Sequence, residues 1–127
     1  MLSLPLILLP DRLAVCRLAP HVGLPDWVAG PGFVSITRTD EELSIVVAQD
    51  RVPDDVASVG PWRALKVQGP LDFALTGILA ALTAPLADAG ISLFAIGTYD
   101  TDYILVGAQT LETAITALTV AGHRVAG

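Results

Sequence analysis

The order of apolar and polar positions is clearest in the second half of the chain. Trp62 to Gln68 (WRALKVQ) alternates and predicts a β-strand. Gly69-Pro70-Leu71-Asp72 reads as a helix start, with Gly69 as N-cap, Pro70 at the first helical position and Asp72 as an acid in the first turn. Phe73, Leu75, Ile78, Leu79, Leu82 and Leu86 give that helix a wide apolar side. Gly90 is placed to end it in a left-handed conformation. Ile91 to Thr98 predicts a strand, Tyr99 to Asp102 a turn, and Tyr103 to Ala108 the returning strand. Thr110-Leu111-Glu112-Thr113 starts a second helix with Thr110 as N-cap. That helix reaches Ala121, where Gly122 ends it, and His123 to Ala126 forms a last strand.

This β-α-β-β-α-β order is that of the ferredoxin-like unit. The first half repeats it less clearly. Phe33 to Gln49 (FVSITRTDEELSIVVAQ) aligns with Phe94 to Gln109 (FAIGTYDTDYILVGAQ), with a one-residue difference in the turn. In that alignment Phe33 matches Phe94, Thr37 matches Thr98, and Ala48-Gln49 matches Ala108-Gln109. The offset of about 60 residues is the length of one small βαββαβ unit, and a fixed offset marks an internal repeat. A strand (Arg12 to Leu18) and a short helix (Leu24 to Ala29) precede the hairpin, and Pro53 to Ser58 leaves room for one helical turn after it. The expected fold is therefore α+β: two tandem units with antiparallel sheets and helices on one face. The first is shortened (residues 1–60), the second spans 61–127, and Val59-Gly60-Pro61 forms the boundary.

Composition narrows the function classes. The chain has 127 residues, 53% of them hydrophobic and 16% charged, and a mean hydropathy of +0.63. So much apolar surface on so small a chain calls for a covering partner, most simply a second copy. The longest apolar run, Phe73 to Ala87, is bounded by Asp72 and Asp88 and interrupted by Pro85. As a helix it would span about 22 Å, short of the roughly 30 Å hydrocarbon core. Met1 to Pro10 is apolar but has no basic flank and contains Pro5, which makes it a poor signal peptide. These features predict a cytoplasmic protein. The net charge of −6 without a Lys/Arg cluster argues against nucleic acid as a partner.

Candidate chemistry is sparse. Cys16 is the single cysteine and lies in the apolar run Leu13 to Leu18, so it reads as a buried structural thiol. His21 and His123 are far apart in sequence, and His123 beside Gly122 reads as a surface or cap residue. The sequence contains no GxxxxGK[ST] loop, no HExxH and no GxSxG. No cofactor, no metal and no enzymatic activity are expected. Polar side chains concentrate in the turn around Asp100 and Asp102, where Asp serves either local backbone bonding or ligand contact.

Three stretches carry a family resemblance: APLADAGISLFAIGTYDTDYILV (Ala84 to Val106), TRTDEELSIVV (Thr37 to Val47) and WRALKVQGPLDF (Trp62 to Phe73). They resemble the ACT repeats of the CASTOR arginine-sensor family and small bacterial two-ACT proteins related to the regulatory part of aspartate kinase, over residues 12 to 127. The resemblance implies a regulatory protein that binds an amino acid between ACT units, and a homodimer that rebuilds a four-unit arrangement. Carried over residue by residue, it places Gly69, Asp72, Thr98, Tyr99 and Asp102 on one wall of the site and Ser92 and Leu93 on a facing wall. Chemically, backbone N–H groups near Gly69 or Ser92 suit an α-carboxylate. Asp102 suits an ammonium or a cationic side chain, and Tyr99 suits an aliphatic stem or a cation. Asp72 fits a helix-dipole role equally well, and Thr98 and Ser92 fit plain strand positions. Family members often carry Ser where this chain has Gly97, which leaves the choice of amino acid open, with a basic one mildly favoured. The other readings are a ligand-free interaction module and a trans-acting regulatory subunit of an amino-acid biosynthetic enzyme.

Overall fold

A computed structural model describes residues 2–69 and 76–127. The chain is α+β and divides into two compact units, one of Asp11–Trp62 and one of Met1–Pro10 with Arg63–Gly127.

The Asp11–Trp62 unit holds strands β2 (Leu13–Leu18), β3 (Ser35–Arg38), β4 (Leu43–Ala48) and the first part of β5 (Ala57–Val67). They lie in the order β3-β4-β2-β5, every neighbour antiparallel. That is the strand order of a ferredoxin-like unit, reached with almost no helix. The short helix expected over Leu24 to Ala29 is a single 3-10 turn at Asp26–Val28. Pro53 to Ser58 holds one turn closed by Val56 N–H on the Pro53 carbonyl at 3.1 Å. Ala14, Cys16, Val28, Leu43, Ile45 and Val47 form the core, with Trp27 and Val52 packed against it. Cys16 is buried within that core, as expected, and desolvation raises its thiol pKa. At Gly60 β5 passes so close to β2 that a Cβ would lie 2.8 Å from the Leu13 carbonyl oxygen, beside the register shift between Leu13 and Val15.

The second unit takes the rest of β5 and adds α1 (Ile78–Asp88), β6 (Leu93–Gly97), β7 (Asp102–Gly107), α2 (Leu111–Val120) and β8 (Arg124–Ala126). Its strand order is β8-β1-β5-β7-β6, where β1 is Pro5–Leu8. Strand β1 was not foreseen here, because residues 1–60 were expected to form one unit. It lies antiparallel to β5 (Leu6 opposite Val67) and parallel to β8 (Leu6 opposite Val125). Gln68 N–H on the Pro5 carbonyl and Leu9 N–H on the Ala64 carbonyl, both 2.9 Å, fix it. Pro5 stands at the strand's first residue, where a missing donor is tolerated. The core gathers Leu4, Leu6, Leu65, Val67, Ile78, Leu82, Leu86, Ile91, Ile104, Val106, Ala114 and Leu118 between the helices and one sheet face.

The helix expected from Gly69 and Pro70 is described only from Ile78 onward. Thr76 and Gly77 are not helical, and Gly77, at φ 81°, caps the described helix α1. A β-branched residue followed by glycine is a weak place to continue a helix. The first-turn Asp72 and the apolar Phe73 and Leu75 lie outside the described residues. Within α1, Ile78, Leu82 and Leu86 face the core at four-residue spacing, whereas Leu79 is exposed. Both helices end in the same motif. Gly90 (φ 74°) donates to Ala87 and Ile91 to Leu86; Gly122 (φ 101°) donates to Thr119 and His123 to Leu118.

His123 departs from expectation. It is 3% exposed, not a surface residue. Leu4 N–H donates to its Nδ1 at 3.1 Å, so Nε2 carries the proton and donates to the Ala81 carbonyl at 2.9 Å. That carbonyl is available because Pro85, four residues later in α1, has no N–H to give it.

The two hairpins repeat, with a register different from the aligned one. Arg38 pairs with Leu43 and Gly97 with Asp102, so equivalent positions lie 59 apart through both strands and both loops have four residues. Thr39, not Thr37, therefore matches Thr98. Each threonine opens its loop with an N–H bond of 2.9 Å to the loop's fourth residue, Glu42 or Thr101.

Candidate functional site

Side-chain alternation decides what faces the helices. In β7, Ile104 and Val106 point into the core, so Asp102 lies on the same face one step beyond its apolar end. In β6, Leu93 packs against that core, which puts Gly97 on the same face, directly across from Asp102. A Cβ at Gly97 would sit 3.4 Å from Asp102 Oδ1. The glycine therefore leaves open space beside the carboxylate. Asp102 is half-buried, and no hydrogen bond or ion pair from a described residue reaches its carboxylate. From Gly90 to Gln109 the sequence contains two acids and no Lys or Arg, so the local field favours a cation.

The turn beside it is well ordered by its own hydrogen bonds. Thr98 N–H donates to the Thr101 carbonyl at 2.9 Å, Thr98 Oγ1 donates to the same carbonyl at 3.0 Å, and Thr101 N–H donates to Thr98 Oγ1 at 3.3 Å. Tyr99 stands on the turn 84% exposed, and Asp100 is exposed next to it. Thr101, which sequence reasoning passed over, is 4% exposed and donates its hydroxyl to the Val67 carbonyl at 2.6 Å. Val67 ends β5, and Gly69, exposed, follows two residues later. The turn and the strand end that leads to Gly69 are thus tied together.

Of the residues carried over by resemblance, Gly69, Thr98, Tyr99 and Asp102 belong to one end of this unit, and Asp72 lies outside the described residues. Ser92 and Leu93 belong to the opposite end of β6. The five-residue strand β6 separates Ser92 from Thr98, six residue steps or about 20 Å. Within one copy these groups do not meet. Ser92 is exposed there, and Leu93, opposite Val106, packs against the core.

Among the described residues no group of three His, Cys, Asp or Glu side chains is gathered to hold a metal ion. The hydrogen bonds of His123 go to two backbone groups. Among the described residues no helix is long and apolar enough to cross a membrane.

Comparison with known proteins matches these features. A family model described as an ACT domain covers residues 57–120, and a second, describing an N-terminal domain, covers residues 11–55. The cytosolic arginine sensor for mTORC1 subunit 1 of Bos taurus is 32% identical over 97 residues, covering 68% of this chain and 30% of the sensor. The chain thus spans less than a third of that relative's length. A solved structure from Agrobacterium tumefaciens superposes with a TM-score of 0.93 at 41% identity, covering 99% of this chain and 94% of that one. The regulatory subunit of aspartate kinase from Thermus flavus shares the fold, with a TM-score of 0.61 at 12% identity and coverage of 91% and 95%. With an ACT-domain model covering half of its residues and the ferredoxin-like strand order present in its Asp11–Trp62 unit, the chain belongs to the ACT-domain family of regulatory proteins.

Proposed function

We propose that this chain binds a small amino acid at the turn between β6 and β7 and reports its presence to a partner protein. One observation carries the reading: Asp102 presents a half-buried carboxylate, unpaired by any described residue, at the end of an otherwise apolar row. A half-buried charge without a partner costs stability unless something answers it. An α-ammonium or a cationic side chain does so, and the acidic, Lys- and Arg-free stretch around it favours a basic amino acid.

In this reading Gly69, Asp72, Thr98, Tyr99 and Asp102 form one wall. Backbone near Gly69 receives the α-carboxylate, and Tyr99 covers the aliphatic stem. Ser92 and Leu93, too distant within one copy, supply the facing wall from a second copy, which makes a homodimer part of the proposal. A ligand held between two copies shifts their arrangement by no more than its differential affinity for the alternatives.

A thermal-shift screen of the twenty amino acids on wild type and Asp102→Ala tests this. At 100 times its Kd a ligand stabilises by about 2.7 kcal/mol, a shift of several degrees for a chain this size. A shift from one amino acid, lost in Asp102→Ala, is expected. Millimolar amino acids without effect on the wild type would remove amino-acid binding as the function.

A further inference from the structure

The turn on which the proposed site is built occurs twice in this chain, which provides an internal control. Both loops open with a threonine whose N–H bonds the carbonyl of the fourth residue at 2.9 Å. In both, the threonine Oγ1 also accepts from N–H groups inside the loop: those of Glu41 and Glu42 at Thr39, and that of Thr101 at Thr98. These bonds suffice to make the turn. The fourth residue differs. Glu42 is half-buried, with no side-chain bond to a strand end among the described residues, whereas Thr101 is almost fully buried and reaches Val67 across 34 positions of sequence.

We infer that Thr101 is a positioning residue for the proposed site. Its hydroxyl holds the Thr98–Thr101 turn, and with it the carboxylate of the adjacent Asp102, in fixed register with the end of β5. The two chain segments proposed to receive the amino acid then form one preorganised element, so ordering them at binding costs little. Burial keeps water from substituting for the bond, so removing the hydroxyl costs the Val67 carbonyl this donor outright. The role in binding rests on the reading proposed above; the tie itself does not.

The test compares wild type, Thr101→Val and Thr101→Ser. Valine keeps the branched shape without the donor, and serine restores the donor without the methyl group. Two quantities are read: amide hydrogen exchange at Thr98 and Thr101, with Leu105 and Leu118 as internal references, and the Kd for L-arginine and L-lysine by calorimetry. In Thr101→Val the turn amides are expected to exchange about tenfold faster while the references hold, and Kd is expected to rise about tenfold. Thr101→Ser is expected to restore both. Unchanged exchange in the valine variant, or no recovery with serine, overturns the tie. Faster exchange with unchanged Kd overturns the positioning role. If the wild type binds neither amino acid while exchange behaves as expected, the positioning role falls with the proposed function, and the bond stands as structural alone.

Discussion

Pro85 and His123 make a prediction that neither residue makes alone. An interior helical proline leaves the carbonyl four residues back without its donor, here that of Ala81. His123 Nε2 supplies the missing bond at 2.9 Å, while its Nδ1 accepts the N–H of Leu4, itself 7% exposed. Replacing His123 by Phe keeps a ring of similar size and strands both backbone groups. Each buried, unpaired group costs roughly 1–3 kcal/mol, so with two groups stranded the variant should lose about 2–6 kcal/mol. Pro85→Ala gives residue 85 an N–H that restores the helical bond to Ala81. In that background His123→Phe strands only the Leu4 N–H, and its cost should fall by about 1–2 kcal/mol. Urea unfolding of wild type, the two single variants and the double variant closes the cycle. A coupling energy inside the roughly 0.5 kcal/mol scatter of independent sites would refute the link between the proline and the histidine.

Three other outcomes follow from the geometry. Gly60→Ala places a Cβ 2.8 Å from the Leu13 carbonyl oxygen; since backbone must move, urea unfolding should show a loss of about 1–3 kcal/mol, and a neutral variant would mean that β2 and β5 separate freely there. Burial raises the Cys16 pKa, so its contribution to stability is fully present below the thiol's ordinary value near 8.5 and is lost as pH rises through that value toward the raised one. Relative to Cys16→Ala, wild type should lose up to about 1.4 kcal/mol per pH unit in that window, and parallel pH profiles would refute the desolvation. Asp102→Leu should raise stability by about 1 kcal/mol while abolishing the amino-acid shift, a trade typical of functional positions; a destabilised variant would show that the carboxylate serves the fold.

What the sequence made legible was whatever rests on short-range chemistry. Gly90 and Gly122 stop their helices because only left-handed backbone lets two N–H groups turn back on the last carbonyls. The β6–β7 hairpin follows from apolar runs on either side of a polar turn. The position of β1 was not legible, because pairing with β5 and β8 is a long-range choice that the apolar run of Leu2 to Leu9 does not encode locally. The hairpin register was misplaced by one to two positions, because the coincident threonines and the shared Ala-Gln pair outweighed loop length. In the site, the resemblance drew attention to the turn but also to Ser92 and Leu93, at the far end of the same strand. Thr101 escaped notice because a turn threonine next to two aspartates looks solvated; its burial depends on the distant Val67 carbonyl. The burial of His123 follows from Pro85, which frees the Ala81 carbonyl that the imidazole then bonds.

The corrected register also explains why the proposed site is confined to one hairpin. Equivalent positions are Leu43 and Asp102, Ile45 and Ile104, Val47 and Val106. In the first hairpin all three are apolar and fully buried, so the core runs to the end of the strand and closes there. In the second hairpin the inner two are apolar and buried, and the third is a half-buried carboxylate facing a glycine. A fold that can be finished with leucine at this point is finished with aspartate instead. Nothing in the strand order requires that choice, since the sister hairpin folds without it. At this half-buried position the exchange forgoes about 1 kcal/mol of apolar burial, a loss confined to one copy of the repeated element, as the proposed binding role of Asp102 requires.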